Sequence, residues 1–314
     1  MKNNLIEIEN LHHAYKDRQV LRGVDCSVKS GEIFGLLGPN GSGKTTLMRI
    51  VSTAMLPDSG KAVIAGLDVR REAPAIRRKI GVVFQSPSLD GKLKVRENLL
   101  HHGHLYGLSG QNLKKRIDEM LAELGMSERA NDIVEKLSGG LKRRAEIAKT
   151  LLHKPELLIL DEPSTGLDPA GRNDLWQYLE KLRDQHGVAV LVTTHLMEEA
   201  ERCDRVGIMD QGKIVSIGEP AELKRAIGAD VISVHAARKE NLAVKIQEKF
   251  RLNVKDLDGV LQIEHEKGPE LLARLAEAFP GEIDALTYRK PTLEDVFLHQ
   301  TGHTFWNGKS GSAE

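Results

Sequence analysis

Gly38-Pro39-Asn40-Gly41-Ser42-Gly43-Lys44-Thr45-Thr46 decides the fold. The stretch follows the apolar run Ile33 to Leu37 and opens the helix-like run Thr46 to Val51, so a strand enters a glycine-rich loop and a helix leaves it. In that context GxxxxGK[ST] is a phosphate cradle. Glycines let backbone N–H groups converge on one anion, and the following helix offers its positive end. Lys44 is placed to reach β and γ phosphates, the Thr45 hydroxyl to ligate Mg²⁺, and the whole stretch from Gly38 to Thr46 to hold nucleotide.

Outward from the loop, Leu157-Leu158-Ile159-Leu160-Asp161-Glu162-Pro163 is another apolar run, and it ends in two acids. Ligands of open α/β sheets bind at the carboxyl edge of the strands, which is where these carboxylates emerge. Asp161 is expected to hold Mg²⁺ through water, and Glu162 to polarise a water for attack on a γ-phosphate. From Leu5 to about Gly228 such runs alternate with amphipathic segments, the pattern of an α/β domain with a largely parallel sheet. Short strands at Leu5 to Ile8, Cys26 to Val28 and Lys61 to Ile64 predict an antiparallel patch at its start. Ile117, Leu121 and Leu124 stand at helical spacing with Gly125 as the stop, a second helix covers Asp174 to Arg183, and Asp210-Gln211-Gly212-Lys213 signals a hairpin.

Composition narrows the classes. The 314 residues carry 45 basic and 45 acidic side chains, and 40% are hydrophobic, which suits a folded chain and argues against broad electrostatic binding to nucleic acid. The longest apolar stretches fall far short of the ~18 residues of a membrane span. Met1 to Leu11 lacks the apolar core of a signal peptide, so a cytoplasmic location is expected. Cys26 and Cys203 have no metal spacing and read as packing residues. His101, His102 and His104 read as surface histidines, and Lys142-Arg143-Arg144 and Arg70-Arg71 as solvated helix faces.

Just before the acidic strand stands Leu137-Ser138-Gly139-Gly140-Leu141-Lys142-Arg143-Arg144. With it the chain resembles the ATP-binding cassette (ABC) ATPases over nearly all of residues 1–228. By itself, Ser138 with the Gly139 and Gly140 amides at a helix start is a second anion-binding end. The resemblance implies that this signature caps a nucleotide held by the phosphate loop of a second subunit. It further implies that Tyr15 stacks on adenine, that Gln85 touches Mg²⁺ and the γ-phosphate side, that His195 contacts the γ-phosphate, and that Asp168 in Ser164-Thr165-Gly166-Leu167-Asp168 crosses the dimer interface. Glutamine often follows the signature in this family; here it is Leu141, a change that leaves Ser138 and both glycines intact.

Beyond residue 228 the chain changes to short strands, Val231 to His235, Val260 to His265 and Ile283 to Tyr288, interleaved with helices near Glu240 to Phe250, Pro269 to Ala278 and Thr292 to Gln300. The expected organisation is a 1–228 ATP-binding domain with antiparallel and helical subdomains, a small α+β domain over 229–306, and a flexible tail over 307–314. Pro291-Thr292-Leu293-Glu294-Asp295-Val296-Phe297-Leu298 reads physically as a capped amphipathic helix with Thr292 as N-cap. It also looks like the C-terminal motif of the drug- and polysaccharide-export branch, including daunorubicin-resistance and nodulation-type ATPases. This implies an Mg²⁺-dependent ATPase that powers a separate multi-span permease exporting drugs, lipids or polysaccharides, working as a homodimer on the inner face of the membrane. Ser86 to Leu108 is the region expected to receive the permease, and the C-terminal domain is expected to modulate dimer closure. The alternative is a soluble ABC ATPase of translation or macromolecular assembly. The single phosphate loop argues against the usual two-cassette translation proteins, and the short path from Thr45 to the signature leaves no room for the coiled coil of a chromosome-maintenance ATPase.

Overall fold

β1 (Asn4–Tyr15) and β2 (Arg18–Lys29) form an antiparallel hairpin because alternate residues of each, such as Ile6, Ile8, Val24 and Val28, are apolar and buried on one face. The computed structural model describes residues 4–86, 88–257 and 259–305. It divides into two compact units, Met1–Gly218 and Glu219–Glu314.

In the first unit, β3 (Ile33–Leu37) is buried along its whole length and leads through the glycine loop into α1 (Lys44–Val51). β4 (Ser59–Ile64) and β5 (Leu67–Asp68) complete an antiparallel sheet in the order β2-β1-β4-β5, the patch expected from the sequence. α2 (Ala73–Lys79) runs into β6 (Ile80–Val83). Three helices follow, α3 (Val95–Leu105), α4 (Gly110–Glu123) and α5 (Gly139–Thr150), and they pack on one another as a helical subdomain. Ile117 and Leu121 are buried, and Gly125 ends α4 at φ 65, a left-handed conformation that glycine adopts without strain.

The chain then returns to the sheet with β7 (Leu157–Asp161), α6 (Pro169–His186), β8 (Ala189–Thr194), the short α7 (Met197–Ala200), β9 (Arg205–Asp210) and β10 (Lys213–Gly218). The six-stranded sheet has the order β10-β9-β3-β8-β7-β6, parallel except for β10. β3, β7 and β8 are buried throughout, as continuous apolar runs require when both sheet faces are covered. β9 and β10 join through Gln211 and Gly212, both at positive φ, the tight hairpin that the Asp210–Lys213 signal predicts. α6 is longer than its apolar stripe suggested, because Asp168 caps its start and Gly187 its end.

Two surface expectations fail. His102 is half-buried, its ring tilted 4.9 Å from that of Tyr106, which stacks on His153 at 3.9 Å. Burial, with help from Lys149 and His153, pushes the His102 pKa down to about 4. Arg143 is buried rather than solvated and pairs with Glu146 at 3.2 Å. Cys26 and Cys203 are buried, as read, and burial pushes the Cys26 thiol up to about 12 and the Cys203 thiol higher, so neither is a reactive thiolate.

The second unit begins with α8 (Pro220–Arg225), and the division falls before it rather than at residue 228. The reason is packing: α8 lies against α11 (Leu293–Thr301) of its own unit. β11 (Asp230–His235), α9 (Lys239–Phe250), β12 (Val254–Leu257), β13 (Val260–His265), α10 (Gly268–Ala278) and β14 (Ala285–Arg289) form a βαββαβ unit with an antiparallel sheet in the order β12-β13-β11-β14, a ferredoxin-like arrangement. Ile232, Val234 and Ile263 of the sheet pack with Leu242, Ile246, Leu271 and Leu275 of the helices. α11 (Leu293–Thr301) closes the unit and buries Leu293, Val296 and Phe297, the face expected from the sequence. The expected tail over 307–314 lies outside the described residues.

Thr292 and Asp295 cap α11 reciprocally. The Asp295 carboxylate accepts the Thr292 N–H at 2.7 Å and hydroxyl at 2.8 Å, and it is bidentate with Arg289. Burial alone would raise the Asp295 pKa, but the bonds from Arg289 and Thr292 outweigh it and hold the carboxyl below the ordinary range. A depressed folded-state pKa contributes stability that is present above the unfolded value and is lost as pH falls through the folded one. The C-terminal unit is therefore expected to lose stability from about pH 4 downward. Asp295→Asn should flatten that acid limb and lower the neutral plateau, both read from urea melts at a series of pH values. An unchanged acid limb in the variant would exclude Asp295 as its source.

Candidate active site

The ends of β3, β7 and β8 converge at one edge of the parallel sheet. After β3 the loop turns on Gly41 at φ 80 and Gly43 at φ 109. A Cβ on Gly38 would lie 2.3 Å from the Met209 carbonyl oxygen, so the loop must have glycine there to lie this close to β9. Lys44 folds back over the loop and donates to the carbonyl oxygens of Gly38 at 2.7 Å and Pro39 at 3.0 Å. Its burial pulls the ammonium pKa down, opposed by the negative charges of Glu162 and Asp161. Ser42 Oγ is buried with no hydrogen-bond partner among the described residues.

β7 and β8 are tied at their tips by Thr193. Its hydroxyl donates to Asp161 Oδ1 at 2.7 Å and accepts the Glu162 N–H at 2.9 Å. Glu162 sits at φ 45, a left-handed conformation for a non-glycine residue, held by that bond. Its Oε2 lies 3.3 Å from His195 Nδ1 and accepts the Thr165 hydroxyl at 3.4 Å. The Glu162 carboxylate and a buried ammonium thus face one space, with an imidazole against that carboxylate and Asp161 buried one residue before it.

That space is a cleft of about 610 Å³ lined by Asn40, Gly41, Gly43, Lys44, Thr45 and Thr46 at one end, with Gln85 and Glu162 across from them and Tyr15, Arg18 and Val20 completing the wall. Tyr15 is 40% exposed, with its ring edge-on to His13 and its hydroxyl donating to Met55 Sδ at 3.5 Å. An amphipathic wall beside a phosphate loop fits a nucleoside triphosphate. Thr45 and the Asp161 carboxylate supply the hard oxygen donors that Mg²⁺ prefers.

The family profile described as ABC transporter matches residues 21–165, and that of the ATP-binding protein DrrA1-3-like C-terminal domain matches residues 218–301. The linearmycin resistance ATP-binding protein of Bacillus subtilis (strain 168) is 38% identical over 309 residues, 96% of this chain and 99% of that protein. The chain belongs to the ATP-binding proteins of ABC transporters. Among other relatives of this ABC protein, the daunorubicin resistance ATP-binding protein DrrA3 of Streptomyces coeruleorubidus is 37% identical over 96% of this chain and 97% of that one. The Nod factor export ATP-binding protein I of Rhizobium sp. (strain N33) is 37% identical over 95% and 97%. A solved ATP-binding cassette in a dimeric post-hydrolysis state with ADP and Pi superposes with a TM-score of 0.63 at 30% identity, covering 68% of this chain and 98% of that one. The ABC protein is an Mg²⁺-dependent ATPase that binds ATP and works with a separate membrane permease.

The remaining expected residues of the cassette lie elsewhere. Ser138, Gly139, Gly140 and Asp168 do not line the cleft, nor do Asp161 at the end of β7 and His195 just after β8. Ser138 is exposed and caps α5, accepting the Leu141 N–H at 3.4 Å. Asp168 caps α6 by accepting the Gly171 N–H at 3.0 Å. The two caps are neighbours, since a Cβ on Gly140 would stand 3.7 Å from Leu167. Sequence reading missed Thr193, Arg18 and Val20. Period-two spacing along β2 could have placed Arg18 and Val20 on one face near Tyr15. Thr193 gave no signal, because its role depends on the β7–β8 pairing.

Proposed function

We propose that this chain is the ATPase subunit of an exporter, acting on a drug-like, lipid or polysaccharide substrate chosen by its permease. The observation that carries the reading is the match of residues 218–301 to the DrrA-like C-terminal domain, together with end-to-end similarity to antibiotic-resistance and Nod factor export proteins. We assign the unit that ends at Gly218 to ATP binding and the unit that begins with α8 to an accessory role. Two copies bind head to tail, the exposed Ser138 and Gly139 and the half-buried Gly140 of each covering the nucleotide of the other, and Asp168 lies at their interface. Among the described residues no helix is long and apolar enough to cross a membrane, which supports a peripheral position on the inner face through the permease.

The residues divide the chemistry. Tyr15 offers its ring to adenine, Lys44 and the loop from Gly38 to Thr46 take the phosphates, and Thr45, Gln85 and Asp161 hold Mg²⁺. Bound Mg²⁺ neutralises phosphate charge during transfer. Glu162 accepts a proton from the attacking water as oxygen bonds to the γ-phosphorus and the bond to the ADP oxygen breaks. His195 holds Glu162 and the γ-phosphate in register.

Tyr15→Ala should weaken ATP affinity about tenfold, the loss of one base–aromatic stack, with turnover at saturation retained. Titration with a fluorescent ATP analogue measures it, and unchanged affinity would remove Tyr15 from the adenine site. For the exporter reading, the test is affinity capture of the chain from its native membrane in ATP. The expected result is a multi-span protein whose co-reconstitution raises ATP turnover. Recovery of ribosomes or soluble assemblies instead would overturn it in favour of a non-transport ATPase.

A further inference from the structure

Glu199 is 1% exposed and takes no part in the chemistry assigned above. Its Oε2 accepts the Thr194 hydroxyl at 2.6 Å, and the same hydroxyl accepts the Leu196 N–H at 2.9 Å. Those two bonds bracket His195, closing the turn between β8 and α7 around it. The carbonyl oxygen of Thr194 in turn accepts the Gly38 N–H at 3.4 Å, at the entrance of the phosphate loop. The second carboxylate oxygen, Oε1, is buried with no hydrogen-bond partner among the described residues and faces Arg172 Nε at 3.8 Å. Arg172 belongs to the first turn of α6, and its N–H bonds to the carbonyl oxygen of Asp168 at 3.0 Å. A buried carboxylate in this position costs desolvation free energy that a neutral side chain of the same shape would not.

We propose that Glu199 is the positioning residue of the γ-phosphate site: it locks the 194–197 turn that aims His195 at Glu162, and ties that turn through Arg172 to the start of α6. The proposal rests on the roles given above to Glu162 and His195. It makes the adjacent threonines of β8 complementary. Thr193 fixes the two carboxylates at the tip of β7, and Thr194 fixes the imidazole that meets the second of them. Because Arg172 lies one turn beyond Asp168, a shift of α6 at the subunit interface reaches His195 by way of the Glu199 charge. His195 is thereby coupled to the interface within its own subunit.

The test is single-turnover phosphate release and steady-state ATP hydrolysis by the full-length chain, with Thr194→Val, Thr194→Ser, Glu199→Gln, His195→Ala and His195→Ala/Thr194→Val. A hydrogen bond to a charged group corresponds to about a tenfold to hundredfold change in rate when it acts only on the transition state. Thr194→Val is therefore expected to lower kcat by about that factor with the KM for ATP within about twofold, while Thr194→Ser, which keeps the hydroxyl but loses the methyl, retains turnover. Val preserves the shape and Ser does not, so a packing role would give the reverse order. Glu199→Gln keeps an acceptor but no charge, and should fall between wild type and Thr194→Val. In the His195→Ala background, Thr194→Val should add no further loss, because positioning has no object left. Wild-type kcat in both Thr194→Val and Glu199→Gln, or a full additional loss in the double variant, would overturn the proposal. Should Glu199→Gln fail to fold, the Thr194 pair decides alone. If His195→Ala itself turns over normally, it is the underlying reading of the site that fails, which the single variant reports separately.

Discussion

Glu162→Gln should lower ATP turnover by at least a hundredfold while leaving ATP bound. General-base catalysis contributes about 10²–10⁴ to rate, and the amide cannot accept a proton from water. The substitution keeps the shape of the side chain, and the backbone bond to Thr193 that holds residue 162 at positive φ is untouched. Lys44, Thr45 and Tyr15 are also unaltered, so affinity persists and the ATP-bound dimer accumulates. Phosphate-release kinetics and size-exclusion chromatography in ATP and Mg²⁺ read the two effects. Ordinary steady-state hydrolysis by this variant would remove Glu162 from its assigned role.

The largest effect on stability is expected at Arg143. Its guanidinium is buried, pairs with Glu146, which is 2% exposed, and donates to the Phe84 carbonyl oxygen at 2.9 Å. Burial pulls the Arg143 pKa down, opposed by Glu146 and Asp161. Glu146 also accepts the Ser88 N–H at 2.5 Å, and Lys149, one turn further along α5, donates to the Ser88 hydroxyl at 2.6 Å. α5, which begins at the signature, thus grips the chain on both sides of Gln85. Arg143→Met leaves a buried carboxylate without its cation, a change worth about 3–5 kcal/mol. Urea denaturation should show it, and Arg143→Met/Glu146→Leu should recover much of the loss because both charges go together. Activity of the double variant should stay low, since the Phe84 tether to Gln85 is not restored. If the single variant were as stable as wild type, the buried pair would have no structural weight.

Much of the α/β order was legible because its causes are local. Continuous apolar runs specify strands covered on both faces, and the glycine loop between Leu37 and Lys44 has few other uses. Thr292 with Asp295 announces a helix start by side-chain chemistry within four residues, and the structure has that reciprocal cap. What misled the reading was also local: Arg143 stands in a basic run and His102 in a histidine-rich helix, and composition assigns both to solvent. Each is buried by a partner distant in sequence, Phe84 for Arg143 and His153 for His102.

The phosphate loop, the acidic strand end, the signature, the parallel sheet and the existence of a second α+β unit were all legible in the order of residues. These depend on periodicity, on backbone conformations open only to glycine and on short-range capping, all of which act between near neighbours in the chain. The folded chain adds that Thr193 joins Asp161 to Glu162, that Arg18 and Val20 wall the cleft beside Tyr15, and that Glu199 sits between Thr194 and Arg172. Strand pairing and helix packing choose these partners. The physical reason is that a buried polar group must find a complement wherever the fold brings one, and the identity of that complement is not written near the residue itself.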